Sequence, residues 1–133
     1  MPARPLSPGR RALPRTIVAA ADRAKIMGIK AGDGTDHRFV GVWPVVVEGR
    51  LFARSWTITP GGWYRTFRDD PLGVIQVGDR TLRVRALAVR SARLLDAIEA
   101  AYAVKYPTPA SRKYVRGFRT GRRRETTTEF VRR

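Results

Sequence analysis

Arginines beside flat rings are the most chemically suggestive feature of this sequence. Arg54 and Ser55 close a β-rich run, where a guanidinium can fork onto two phosphate oxygens and a hydroxyl can add one more bond. The plain alternative is a surface arginine, or one paired with Asp69 or Asp70. Trp43, Trp56, Trp63 and Tyr64 are dense for so short a chain. Such rings suit a planar ligand, and equally a core or a dimer interface. Arg65 follows Trp63 by two residues and reaches either the same phosphate or solvent on a helix face. Arg83 and Arg85 share one strand face, about 7 Å apart. That spacing fits a diphosphate, a nucleic-acid backbone or a merely exposed surface. Lys105 lies on the apolar stripe of a helix, placed to meet an anion in a groove or to complement the helix dipole.

Other chemistries are poorly supplied. The chain has no cysteine, which removes disulfides, thiolate metal sites and cysteine nucleophiles together. His37 is the single histidine, so a site needing two imidazoles is excluded. Flanked by Asp36 and Arg38, it suits a general acid or base, or a hydrogen-bonding structural role. Asp33 and Asp36 with His37 match no metal-ligand spacing, and no metal is expected. Gly32-x-Gly34 lacks the preceding strand and third glycine of a dinucleotide fingerprint. Ser55, Ser91 and Ser111 have no triad context.

Charge is concentrated at the ends. Of 133 residues with net charge +16, residues 1–15 contribute four arginines and no acid. Residues 112–133 contribute nine bases against Glu125 and Glu129. Arg112, Lys113, Tyr114, Arg116, Phe118, Arg119 and Arg122 to Arg124 interleave cations with rings, as a nucleic-acid surface would, although solubilising tails read the same way. The longest apolar run, residues 39–47, contains Pro44 and is far too short to span a membrane. Arg10-Arg11 is followed by Pro14, Arg15 and Asp22 rather than an apolar segment, so a secretory signal is not expected. The expectation is a soluble cytoplasmic protein.

The elements that must position these residues follow from turn and periodicity signals. Residues 1–15, with four prolines, read as an extended flexible arm, and residues 16–133 as one domain with a basic C-terminal segment. A helix is predicted over 17–27, ended by Gly28, and a loop over 31–36. Strands over 38–47 and 51–58 join at Glu48-Gly49. Pro44 confines its side of the first strand to an edge or bulge. A short helix carries Trp63 and Phe67. A second hairpin, 73–77 and 80–89, turns at Gly78-Asp79 in type II′ geometry. Ser91 caps a long helix over 92–106, a helical turn lies within 110–118, and 126–131 is a last strand. Five short strands with one-sided alternation fit an α+β fold built on a small barrel of mainly antiparallel strands.

Taken in order, several segments resemble a single family. They are His37-Arg38-Phe39, Gly41-Val42-Trp43, Val46-Val47, Leu51 to Trp56, and Gly62-Trp63-Tyr64-Arg65. They continue through Ala101-Tyr102, Lys105-Tyr106, Tyr114 to Phe118 and Thr126 to Glu129. The family is the bacterial domain of unknown function numbered 2255, and the resemblance covers about residues 16 to 133. Its pattern is similar to the flavin- and deazaflavin-binding split barrels, which include pyridoxamine phosphate oxidases and deazaflavin-dependent reductases. The additional phosphate-binding motifs of the pyridoxamine phosphate oxidases are not found here.

This resemblance implies a homodimer holding FMN, a deazaflavin or another planar anionic molecule at its interface, with no membrane partner. It favours Arg54 and Ser55 for the cofactor phosphate, and Trp43, Trp56 and Trp63 beside the ring. Arg65, Arg85 and Lys105 are further candidates for the cofactor site, and no catalytic residue is assigned. An oxidoreductase fits an inventory so poor in acids and bases, because the cofactor would carry the hydride. Nucleic-acid binding through the basic C-terminal segment and a non-enzymatic dimeric partner module are the two competing readings.

Overall fold

The computed structural model describes residues 12–32, 38–59 and 61–133. Along them run α1 (Arg15–Arg23), β1 (Met27–Ala31), β2 (Val40–Val42), β3 (Val45–Val47), β4 (Arg50–Ala53) and α2 (Trp63–Asp69). There follow β5 (Leu72–Val77), β6 (Arg80–Ala88), α3 (Ala92–Lys105), α4 (Pro109–Phe118), α5 (Gly121–Glu125) and β7 (Thr128–Arg132). All strand pairs are antiparallel, in the order β2-β1-β5-β6-β7-β4-β3.

The two edge strands explain the shape. β2 and β3 stand at opposite edges of the sheet, yet only Trp43 and Pro44 separate them. Three Cα steps reach about 11 Å at most. The sheet therefore curls until its edges nearly meet, giving an α+β split barrel. Pro44, with no N–H to donate, marks the point where pairing passes from β1 to β4. The predicted strand over 38–47 is thus two three-residue edge strands.

Both hairpin turns follow from backbone sterics. Gly78 adopts φ 62° while Asp79 stays at negative φ, as a type II′ turn requires. At the other turn Glu48 (φ 55°) and Gly49 (φ 72°) are both left-handed, so a non-glycine residue carries strain there.

Two apolar cores lie on the two faces of the sheet. Inside the curl, Ile17 and Ala21 of α1 pack with Met27, Ile29, Leu51, Ile75, Val84 and Phe130. α1 touches β3, β4 and β5, which flank β6 and β7 on both sides, so the helix lies in the concavity. Leu13, within the expected arm, joins this core; residues 1–11 of that arm lie outside the described residues. Outside the curl, Val45 and Phe52 meet Leu94, Ile98 and Tyr102 of α3 and Val115 and Phe118 of α4. β4 is consequently buried on both faces, with Leu51 and Ala53 inward and Phe52 outward.

Several boundaries differ from expectation. The first helix stops at Arg23, because Met27, Ile29 and Ala31 alternate inward as β1 and pair with both β2 and β5. Strand β4 ends at Ala53 rather than Ile58. The helical turn expected within 110–118 is a full helix, capped by the Thr108 hydroxyl on the Ser111 N–H at 3.2 Å with Pro109 in its first turn. The Ser91 cap holds as predicted, accepting from the Leu94 N–H at 3.3 Å.

Candidate functional site

The end of α3 fastens the crossover between the sheet edges. Trp43 and Pro44 leave backbone carbonyls outside any ladder, and such groups need partners when buried. Tyr102, fully buried, donates its hydroxyl to the Trp43 carbonyl at 2.7 Å and accepts from the Arg54 N–H at 2.9 Å. Lys105 Nζ donates to the carbonyls of Pro44 (2.7 Å) and Ala21 (3.0 Å). Tyr106 donates to the Lys25 carbonyl at 2.8 Å and stacks on Trp43 with centroids 4.3 Å apart. Burial lifts the pKa of both tyrosines above the ordinary phenol range and lowers that of Lys105.

Arg54 is the centre of a second fastening. The residue is 1% exposed. Nε donates to Thr127 Oγ1 at 2.7 Å, Nη1 to the Phe118 carbonyl at 2.8 Å, and Nη2 to the Leu95 carbonyl at 2.9 Å. Nη1 also pairs with Glu99 at 3.3 Å, and Glu99 in turn binds Arg124, which reaches Asp96 at 3.0 Å. Burial lowers the arginine pKa, and the Glu99 carboxylate works against that shift. The fork thus ties β4 to α3, α4 and β7. The Thr127 hydroxyl donates to the Arg124 carbonyl, and that of Thr126 donates to the Arg123 carbonyl while accepting from the Ser55 N–H.

Immediately beside this network lies a cavity of about 840 Å³. Ile29, Ala31 and Val42 form its apolar floor, and Trp43, Trp56, Tyr114 and Phe118 form one wall. These rings meet edge to face: Trp56 lies 4.9 Å from Tyr114, and Trp43 lies 5.6 Å from the same ring. Trp63 lines the cavity from the start of α2, supported by Phe67 at 6.0 Å and Phe130 at 6.3 Å. Trp56 is held from both sides. The Arg123 guanidinium covers its ring at 3.8 Å, and a Cβ on Gly117 would stand 2.4 Å from its Cζ3. Exposed Arg38 contributes a cation to the lining, and Gly61-Gly62 contributes backbone.

Residues 16–130 match the family described as "Uncharacterized protein conserved in bacteria (DUF2255)". The chain belongs to DUF2255. No curated protein matches it in sequence. Among solved structures it is similar to an F420-H2 dependent reductase, at 17% identity and TM-score 0.57, over 80% of this chain and 93% of that one. It is similar also to HutZ, the heme storage protein of Vibrio cholerae (13%, TM-score 0.61, 90% and 88%). A third is an FAD-binding protein of Mesorhizobium loti (13%, TM-score 0.54, 92% and 93%). At these identities the likeness is one of fold.

The DUF2255 fold brings together five of the expected site residues and separates three. Trp43, Arg54, Ser55, Trp56 and Trp63 all border the cavity. Arg54 does so with its guanidinium engaged inside the protein, by neither Asp69 nor Asp70, which leaves no free fork for a phosphate. The Ser55 hydroxyl donates to the Thr57 carbonyl at 2.5 Å. Arg65, Arg85 and Lys105 are not among the lining residues. Arg85 sits mid-sheet opposite Leu72 and Val131, and Lys105 is fixed to two carbonyls. His37, with Asp33 and Asp36, lies outside the described residues.

Sequence reasoning missed Arg38, Tyr114 and Phe118 as lining residues. The last two were expected to stack on bases, but Phe118 is buried and Tyr114 half-buried against the tryptophans. Their i, i+4 spacing with Val115 between them is the signature of an inward helix face, and it was there to be read. Among the described residues no group of acids and histidines is arranged to hold a metal, and no helix is long and apolar enough to cross a membrane.

Proposed function

We propose that the cavity binds a planar, anionic redox cofactor of the flavin or deazaflavin class, and that the chain works as a homodimer. The observation that carries this reading is the aromatic lining of an 840 Å³ space, within the usual range of about 300–1,000 Å³ for ligand sites. The residues fit such a group unevenly. Trp43, Trp56 and Trp63 border the space a flat ring would occupy, with Ile29 and Val42 beside them, although one face of Trp43 is taken by Tyr106 and Trp56 is covered by Arg123. Anionic substituents would have to meet Arg38 and the backbone of Gly61-Gly62, because Arg54 is already engaged. A bound flavin or deazaflavin would carry the hydride itself. The chain's own part is to hold the ring, shield it from water and position it, with Arg54 fixing the wall rather than touching the ligand. The F420-H2 dependent reductase and the FAD-binding protein of similar fold support this class of ligand.

An exposed apolar patch supports the dimer. Ile26 is 61% and Phe39 38% exposed, and they share the outer face of β1 and β2. There Phe39 overlies Gly28 and Ile26 overlies Gly41, two glycines paired across the strands. The patch borders the lining residues Arg38, Val40 and Gly41, and a second copy seated on it would help to close the cavity.

An ultraviolet–visible spectrum of protein purified in high salt, before and after addition of FMN or a deazaflavin and desalting, tests the reading. Retained near-ultraviolet and blue bands that Arg38→Gln weakens and Arg85→Gln leaves intact are expected. A protein spectrum alone, even after the addition, overturns the flavin class and leaves the partner-module reading. Phe39→Asp should yield monomers in sedimentation and release the chromophore.

A further inference from the structure

We propose that the solvent face of α4, continued by Arg119 and Arg122, docks the phosphate backbone of a nucleic-acid duplex without reading its bases. Arg112, Lys113, Arg116, Arg119 and Arg122 are all exposed. At 100° per residue, Arg112, Arg116 and Arg119 fall within about 60° of one another around the helix axis. They span about 10 Å along it, a distance over which a duplex presents about six phosphate charges. Of the buried residues, Val115 flanks the row and Phe118 lies about 130° from its centre. The row is a fixed surface, since α4 packs on α3 through those residues and its end is tied to Arg54.

Neighbouring charges are treated differently. Arg93 pairs with Glu48, Arg50 with Glu129, and Arg124 with Asp96 and Glu99. None of the five cations of the row has an ion pair among the described residues. Arg112 and Arg116 repel each other at i, i+4, a mild cost that an anionic partner relieves. The inward turn of Tyr114 and Phe118 decides which nucleic acid fits. A single-strand site needs exposed rings for bases to stack on, and here those rings face the cavity. What remains is backbone neutralisation, which suits a duplex.

Fluorescence anisotropy of a labelled mixed-sequence DNA duplex with the full chain, from about 50 to 200 mM salt, tests this. With four cations engaged, affinity should fall about 100-fold across that range. The triple variant Arg112→Gln, Arg116→Gln, Arg119→Gln should lower the log–log salt slope by about three units while leaving circular dichroism unchanged. Arg23→Gln, Lys25→Gln, Arg68→Gln removes the same charge elsewhere and should bind nearly as the unmodified chain does. Equal loss in the two triple variants would overturn the proposal, as would tighter binding to single strands. It fails equally if the row binds phosphatidylglycerol vesicles while duplexes stay free.

Discussion

Around Arg54 the side-chain donors of the protein meet acceptors of the same chain; two residues on, at Trp56, the chain turns flat rings toward an 840 Å³ space. Both regions are built from residue types that ligands favour. The difference is where the free surface lies. The Trp43 and Pro44 carbonyls of the crossover, the Lys25 carbonyl and the Phe118 carbonyl at the end of α4 each take a polar side chain, and Arg54, Tyr102, Lys105 and Tyr106 are engaged this way. The tryptophans carry few polar obligations; one face of Trp43 stacks on Tyr106 and Arg123 covers Trp56, and what these rings leave uncovered borders the open space. In this molecule the charged motif fastens, and the apolar one borders the open space.

The largest expected effect breaks the fastened side. Arg54→Met strands the Phe118 carbonyl, removes the second bond on the Leu95 carbonyl and leaves Glu99 with one cation fewer, so urea denaturation should show a loss of about 3–5 kcal/mol or failure to fold. Arg54→Lys keeps the charge without the fork and should recover only part. A mild stability loss with complete loss of ligand would reverse the comparison and return Arg54 to the binding side. Tyr102→Phe removes a donor and an acceptor together, and about 1–3 kcal/mol should follow by the same measurement.

Gly117→Ala probes the seam between the regions. The new methyl would meet the Trp56 ring, which Arg123 keeps from retreating freely, so about 1 kcal/mol of stability and a shift in tryptophan emission are expected. The smallest effect is alkaline. Tyr102 and Tyr106 keep a raised pKa only while folded, so their contribution is whole below the ordinary value of 10.0 and declines as pH rises past it. Chemical denaturation on either side of that pH should show the decline, and Tyr106→Phe should reduce it.

The barrel was largely legible, because Gly78-Asp79, Pro44 and Ser91 impose local geometry that tertiary packing did not override. β1 was not. Met27 to Ala31 follows a helix without a strong breaker, and its extended state depends on pairing with β2, the next strand, and with β5, far along the chain. The rings of the site were visible in type but not in orientation. The surroundings of Arg54 were not legible for a physical reason: a planar fork suits two carbonyls of one's own backbone as well as it suits a phosphate, and the packing of α3 and α4 over β4 supplies the carbonyls.

The most direct test of the account is a titration of FMN, and separately of a deazaflavin, into the chain, following quenching of cofactor fluorescence. The unmodified chain should quench saturably, Arg54→Lys should bind nearly as well wherever it remains folded, and Trp63→Leu and Arg38→Gln should each bind at least about tenfold more weakly, about 1.4 kcal/mol. No quenching by the unmodified chain, or full quenching by both cavity variants beside none by folded Arg54→Lys, would contradict it.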